Sequence, residues 1–373
     1  LSEIYAKIGQ FGISNTLIKK IVDHYGSAGT VINVLEDNPY KLVAVDGIGF
    51  KKADNIALKL GIDIHDHRRI DGCIIYTLAQ AGESGKSFLG PKQLMDELKK
   101  NLGELDAKTV RSRLDFLNET NEIKLFLDDK KVALTRYFNL EKNICKELLR
   151  LMEGYNPKDN SESKNYVPST PKCKSIEEKL KEIEKQQGYE FNEKQKEAIQ
   201  LCLKHNVVVL TGLAGTGKTT AANGIAKIYE GLNIVAVALS GKASVRLAEA
   251  TGIDAKTIHR ALEYNNGAFL FNRNNKLEAD VVIIDEATMI NGSLFLSLLE
   301  AIPSGAKVII MGDIQQLTPI GNCHVFADIL NSNIIPSVRL TEIHRQAMRS
   351  GIIPTSIKVA KQEQLFDKDY TGN

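Results

Sequence analysis

The sequence predicts a multi-domain protein, with an α-helical N-terminal region followed by an α/β lobe built on a parallel sheet. Three observations predict it. Up to about residue 150, short apolar helical faces alternate with glycine turns, and the one evident strand pair is 123–126 with 132–134 around Asp128-Asp129. From Val207 onward, the β-branched runs 207–210, 234–238, 281–284 and 308–311 alternate with helical stretches. Buried runs separated by helices form a parallel sheet covered on both faces. Between these regions, 155–174 (YNPKDNSESKNYVPSTPKCK) has the composition of a linker.

The elements follow in order. Leu17, Ile18, Ile21 and Val22 give a first helix its apolar face, Tyr25-Gly26 ends it, and Asn38-Pro39 marks a turn. Gly47-Ile48-Gly49 is a tight turn, after which Ala53, Ile56, Ala57 and Leu60 recur at helical spacing. Helices and the strand pair over 68–150 suit a small winged-helix-like module. Residues 175–187 read as a charged helix with Ile176, Leu180 and Ile183 on one face.

At 373 residues the chain has room for two or three domains. Its net charge is only +2, so any nucleic-acid binding must come from local basic patches. The cysteines Cys73, Cys145, Cys173, Cys202 and Cys323 are scattered without a C-x-x-C, which suggests reduced thiols and a cytoplasmic protein. No apolar run approaches the roughly 18 residues of a membrane span, so no membrane partner is expected.

The most specific signal is GLAGTGKTT, residues 212–220. It fits G-x-x-x-x-G-K-[ST] with Gly212, Gly217, Lys218 and Thr219 at the fixed places, between an apolar run and a helical stretch over 218–229. The glycines let backbone N–H groups turn inward around a polyphosphate, and the helix start adds its positive dipole end. Gly212, Ala214, Gly215, Thr216, Gly217, Lys218, Thr219 and Thr220 are therefore expected to bind a nucleoside triphosphate. Lys218 would reach the β- and γ-phosphates, and Thr219 would hold Mg²⁺. The alternative is a chance glycine turn before a helix. VVIIDEATM, 281–289, puts Asp285 and Glu286 at the end of a buried strand, where ligands bind in such sheets. Asp285 could hold Mg²⁺ through water, and Glu286 could orient the attacking water. In KVIIMGDIQQLTPIG, 307–321, Gln316 could sense the γ-phosphate or lie in a solvated loop.

As a series these segments resemble a superfamily 1 helicase, and most closely a RecD-like DNA helicase. FNEKQ, 191–195, resembles the adenine-reading Q motif, with Gln195 as reader. The stretch 239–262 resembles the single-strand contact motifs, which implies DNA contacts from Ser240, Lys242, Thr257 and His259. DEATM and GDIQQLTPIG resemble two further motifs, and LTEIHRQ, 340–346, resembles the arginine motif with Arg345 at the transition-state sensor. NPYKLVAVDGIGFKKADNIA, 38–57, resembles the helix-hairpin-helix region of the stand-alone members. That likeness implies a DNA phosphate near Gly47 and Gly49, helped by Lys51 and Lys52; the alternative is a glycine turn that packs two helices. Leu239-Ser240 replaces the family's Pro-Thr, and Leu317-Thr318 replaces its Leu-Pro.

The resemblance implies a helix-hairpin-helix region over 1–66, a winged-helix-like module over 67–153, a linker over 154–174 and a RecA-like ATPase lobe over 175–346. Residues 347–373 would begin a second lobe. It implies ATP and Mg²⁺, single-stranded and 5′-tailed duplex DNA as partners, and 5′→3′ unwinding in repair or recombination. The chain stops about 28 residues past Arg345, and a second lobe needs over roughly a hundred more; the expectation is a piece of a longer helicase. One rival is a nucleotide-gated DNA-binding module without motor activity. Another is an NTPase acting on a non-nucleic partner. Last, the turn signals Asn265-Asn266-Gly267 and Asn274-Asn275 flank the apolar run 268–271. They predict a hairpin that is either a strand-separating wedge or a plain surface feature.

Overall fold

The computed structural model describes residues 14–45, 47–153, 170–172 and 175–342. Arg345, 347–373 and most of the linker lie outside them. The described residues divide into two compact units. One runs to residue 139 and takes in 321–323; the other comprises 140–320 and continues from 324.

In the first unit, helix α1 (Asn15–Tyr25) starts on Ser14, whose hydroxyl accepts the Leu17 N–H, and ends at Gly26 in the left-handed region. Helix α2 (Ala28–Asp37) and a 3₁₀ helix (Pro39–Ala44) lead through the 47–49 turn into α3 (Phe50–Lys59). Asp54 of α3 receives the Tyr40 hydroxyl at 2.8 Å and the Arg69 guanidinium at 2.8 Å, which joins α3 to its neighbours. Then come α4 (His67–Glu83), β1 (Phe88–Leu89), α5 (Pro91–Leu102), α6 (Ala107–Glu119), β2 (Ile123–Phe126) and β3 (Lys131–Leu134). The strands form an antiparallel sheet ordered β1-β3-β2. From α4 the order is helix–strand–helix–helix–strand–strand. Ile18, Ile21, Leu42, Phe50, Ile74, Leu78, Leu94 and Leu98 share one buried core.

Helix α7 (Thr135–Glu153) comes next. Within the second unit, its Arg150 donates to Glu147, to Ser304 and to the carbonyls of Leu299 and Ile302. Helices α8 (Ile176–Gln187) and α9 (Glu193–Lys204) precede the sheet. The sheet alternates with helices: β4 (Val207–Gly212), α10 (Lys218–Ile228), β5 (Ile234–Ala238), α11 (Gly241–Thr251), β6 (Ala255–Thr257) and α12 (Ile258–Ala261). The hairpin β7 (Tyr264–Asn265) and β8 (Ala268–Phe269) follows, and then β9 (Val281–Asp285), α13 (Gly292–Ala301), β10 (Lys307–Gly312), α14 (Val325–Ser332) and β11 (Ser337–Leu340). The six strands of the main sheet are all parallel, ordered β11-β4-β10-β9-β5-β6. The four β-branched runs became β4, β5, β9 and β10, within a residue or two of the expected bounds. The sequence reading missed β6 and β11, which lie at the two edges of the sheet.

Candidate nucleotide site and nucleic-acid interface

Strand register puts the functional loops on one edge of the sheet. Gly312 pairs with Thr211, so Asp313 emerges beside the start of the phosphate loop. Ala238 pairs with Asp285, so Ser240 and Glu286 emerge as neighbours. All these loops leave the carboxyl ends of parallel strands, where such sheets bind ligands.

The loop between β4 and α10 has the backbone its glycines were expected to give. Gly215 and Gly217 have φ of 79° and 85°, and Gly217 caps α10. At Gly212 a Cβ would sit 2.6 Å from both the Leu340 carbonyl and Thr216 Oγ1, so only glycine fits. The Thr216 hydroxyl donates to the Leu213 carbonyl at 2.8 Å and braces the turn. Lys218 Nζ donates to the carbonyls of Gly212 at 2.6 Å and Leu213 at 3.0 Å. Burial pushes this ammonium below its usual range, against the pull of Asp313 and Asp285. Ala214 is exposed, and Thr219 and Thr220 are half-buried in the first turn of α10.

Asp285 ends β9, and one of its oxygens accepts the Glu286 N–H at 2.9 Å. Burial raises its pKa, while that hydrogen bond and Lys218 oppose the shift. Glu286 has φ 54°, in the left-handed region. Burial and then the adjacent Asp285 raise its pKa, whereas the Ser240 hydrogen bond and Arg246 lower it. Burial thus works against the charge of Asp285 and of the Lys218 that faces it, so the site would gain from added charge. A triphosphate would relieve Lys218, and a divalent cation would relieve Asp285. Hydroxyl and carboxylate oxygens suit Mg²⁺, and Thr219 with Asp285 are the residues that would hold it. Among the described residues, no cluster of three or more His, Cys, Asp or Glu forms a separate metal site.

Asp313 is buried; its N–H donates to Thr288 Oγ1 at 2.8 Å, on the turn that follows β9, and its carboxylate accepts from Gln315 N in its own loop. Gln316 follows with an exposed side chain on the same edge. Gln195 is 1% exposed, and its amide is engaged on both sides: Oε1 accepts the Asn192 N–H at 3.0 Å, and Nε2 donates to the Gly217 carbonyl at 3.2 Å.

The proposed DNA residues of this unit line the same sheet edge. Ser240 caps α11, and its hydroxyl also reaches Glu286 Oε2 at 3.4 Å. Nothing in the sequence suggested that pairing; it depends on the register of β5 with β9. Lys242 is exposed two residues further on, in the first turn of α11. Thr257 caps α12, and exposed His259 packs its ring on Tyr264 at 5.6 Å and Phe269 at 5.8 Å. The hairpin turns through Asn266 and Gly267, both at positive φ, as Asn-Gly hairpins do. In the first unit, Gly47 (φ 89°) and Gly49 flank buried Ile48, and Lys52 Nζ donates to the Gly47 carbonyl at 3.2 Å. Lys51 is exposed beside them.

A parallel sheet with a glycine-cradled lysine, facing acids and a strand-end Asp-Glu pair defines a P-loop NTPase lobe. Residues 190–366 match the family model described as an AAA domain, and residues 1–88 match that of the ATP-dependent RecD2 DNA helicase HHH domain. By these two matches and the relatives that follow, the chain is similar to RecD-like DNA helicases. It is 28% identical over 364 residues to the ATP-dependent RecD2 DNA helicase of Deinococcus radiodurans, covering 94% of this chain and 48% of that one. It is 29% identical over 250 residues to the RecBCD enzyme subunit RecD of Mycobacterium tuberculosis, covering 60% of this chain and 40% of that one. The chain thus spans under half the length of these relatives. A Pif1 helicase structure from Candida albicans aligns over 46% of this chain and 44% of its own, at 22% identity and a TM-score of 0.37. Among the described residues no helix is long and apolar enough to cross a membrane.

Proposed function

We propose that the chain is the ATP-binding lobe and N-terminal DNA-engaging region of an ATP-dependent DNA helicase. In the complete protein it would move 5′→3′ on single-stranded DNA and open 5′-tailed duplexes during repair or recombination. The observation that carries this reading is the convergence of Lys218, Asp285, Asp313 and Glu286 on one sheet edge, with Ser240 on Glu286 at 3.4 Å. A residue proposed to touch DNA thereby touches the residue proposed to orient water, which offers a route for DNA to govern hydrolysis.

In this mechanism Lys218 leaves the loop carbonyls for the β- and γ-phosphates, and the N–H groups of 214–219 close on the phosphate oxygens. Thr219 and Asp285 would hold Mg²⁺, which would supply charge neutralisation when bound. Glu286 orients the attacking water and accepts its proton, while Gln316 and Arg345 respond to the γ-phosphate. Ser240, Lys242, Thr257 and His259 follow the single strand, and Gly47, Gly49, Lys51 and Lys52 take a backbone phosphate. The 264–269 hairpin, with His259, Tyr264 and Phe269 grouped at its base, serves as the wedge.

The test is ATP hydrolysis with and without single-stranded DNA, followed by strand displacement on 5′- and 3′-tailed duplexes. Both this chain and a version extended at its C-terminus would be assayed. DNA-stimulated hydrolysis and opening of 5′-tailed duplexes by the extended form are expected. DNA binding that follows nucleotide, without hydrolysis in either form, would favour the gated binding module. Opening of only 3′-tailed duplexes would overturn the polarity.

A further inference from the structure

Beside the 47–49 turn, the first unit holds a cleft of about 460 Å³ walled by α3, α4 and α5. Lys51 in the first turn of α3, Lys86 just past α4 and Lys100 on α5 line it, against a single carboxylate, Glu97. That carboxylate is already engaged: its Oε1 accepts from Lys100 Nζ at 2.6 Å, one turn along the same helix. Lys51 and Lys86 have no ion pair among the described residues. The cleft therefore carries positive charge that the protein leaves unanswered. Its wall also holds Thr77, 6% exposed, whose hydroxyl has no hydrogen-bond partner among the described residues. Thr77 bears on the Cys73 thiol one turn back, but burial pushes that thiol up to about 12, and a neutral thiol is a weak partner. A buried hydroxyl left in this way points to a group the protein does not itself supply. The cleft adjoins the turn proposed above to hold a DNA phosphate. Tyr76 lines it and packs on Phe50 at 6.3 Å, and its hydroxyl lies 3.4 Å from where a Cβ on Gly49 would be.

We propose that this cleft is a second phosphate subsite of the N-terminal unit, in which Lys86 and Lys100 take a backbone phosphate of the strand held at the 47–49 turn and Lys51 stands between the two positions. The inference rests on the DNA-phosphate reading of that turn and extends the contact onto α4 and α5. Lys100 exchanges Glu97 for phosphate oxygens as the strand enters. Phosphate contacts fix register and carry no sequence information, so the subsite is blind to the bases.

The experiment is a salt titration of the full chain, without nucleotide, on a fluorescent blunt DNA duplex. Each phosphate neutralised contributes about 0.9 to the slope of log K against log salt. The double variant Lys86→Gln, Lys100→Gln should flatten that slope by about one and weaken binding equally on two unrelated sequences. Glu97→Gln frees Lys100 and should tighten binding. Lys92→Gln is the control, an exposed lysine of α5 that does not line the cleft, and should leave the slope where it was. Lys52→Gln probes the 47–49 turn separately. A slope flattened by Lys52→Gln and unmoved by the double variant would overturn the subsite and leave the turn contact standing. An equal loss from Lys92→Gln would reduce the cleft to part of a diffuse basic surface. Weaker binding of inorganic phosphate by the double variant, with its DNA slope unchanged, would assign the cleft to a free anion and overturn the strand reading. If neither Lys52→Gln nor the double variant moves the slope, or the parent chain does not bind the duplex, the turn contact and the subsite fall together.

Discussion

Lys218→Met separates the fold of the phosphate loop from its chemistry. In the nucleotide-free lobe the ammonium makes two hydrogen bonds, to Gly212 O at 2.6 Å and Leu213 O at 3.0 Å. It does so where burial disfavours its charge. Those two effects oppose each other, and methionine fills most of the space, so stability should change by less than about 1 kcal/mol. With a triphosphate bound, the same nitrogen would make charge-assisted contacts to phosphate oxygens. Hydrogen bonds to charged groups contribute ~1.5–3 kcal/mol, so Kd for Mg·ATP should rise roughly ten- to 150-fold. Calorimetric titration with Mg·ATP and a thermal melt of parent and variant make the comparison. A Kd within about twofold of the parent, with an unchanged melt, would remove Lys218 from the nucleotide site.

Three further outcomes follow from the same geometry. Glu286→Gln keeps the side-chain shape and should bind ATP while turning over at least ~100-fold more slowly, in a form shown to hydrolyse ATP; near-normal turnover would exclude Glu286 as the water-orienting group. Asp285 titrates above the usual carboxylate range, so its contribution to stability is fully present below its unfolded pKa, near ~4. It is lost as pH rises through the raised folded value. Asp285→Asn should therefore melt above the nucleotide-free parent at neutral pH, with the gap closing toward about pH 4, and should no longer gain stability from Mg·ATP; a lower melt at neutral pH would contradict the sign. Gly312→Ala would place a Cβ 2.6 Å from both the Phe326 ring and Thr288 Oγ1, and should destabilise by ~1–3 kcal/mol, read as a melting point several degrees lower; no shift would mean the neighbours relax freely.

The central strands and the phosphate loop were legible because their signals are local. Val207 to Leu210 is a continuous apolar run, and the glycines at 215 and 217 occupy positions where the loop needs positive φ. The Asn266-Gly267 hairpin was legible for the same reason. Strand β11 was not, since four residues with Ser337 and Arg339 exposed carry too little pattern to distinguish an edge strand from a loop. β6 has only three residues, within a stretch whose motif content dominated its reading. The partners of functional side chains were the least legible. That Ser240 meets Glu286 depends on the register of β5 against β9. That Gln195 reaches Gly217 depends on α9 packing across α10, and sequence spacing encodes neither.

Glu286 takes its place from a backbone that most side chains avoid. At φ 54° it is directly preceded by a buried strand and followed by a 3₁₀ turn (Ala287–Met289). Glycine, asparagine and aspartate enter the left-handed region most readily, and β-branched residues pay most for it. The position thus filters its own replacements. A lineage relieved of hydrolysis should drift here toward Asn, Asp or Gly, and Val or Ile should stay rare even where charge no longer matters. In a saturation library the same filter would split into two axes. Folding yield would sort variants by tolerance of positive φ, and turnover would sort them by the presence of a carboxylate at the right reach. Aspartate would score well on the first axis and poorly on the second.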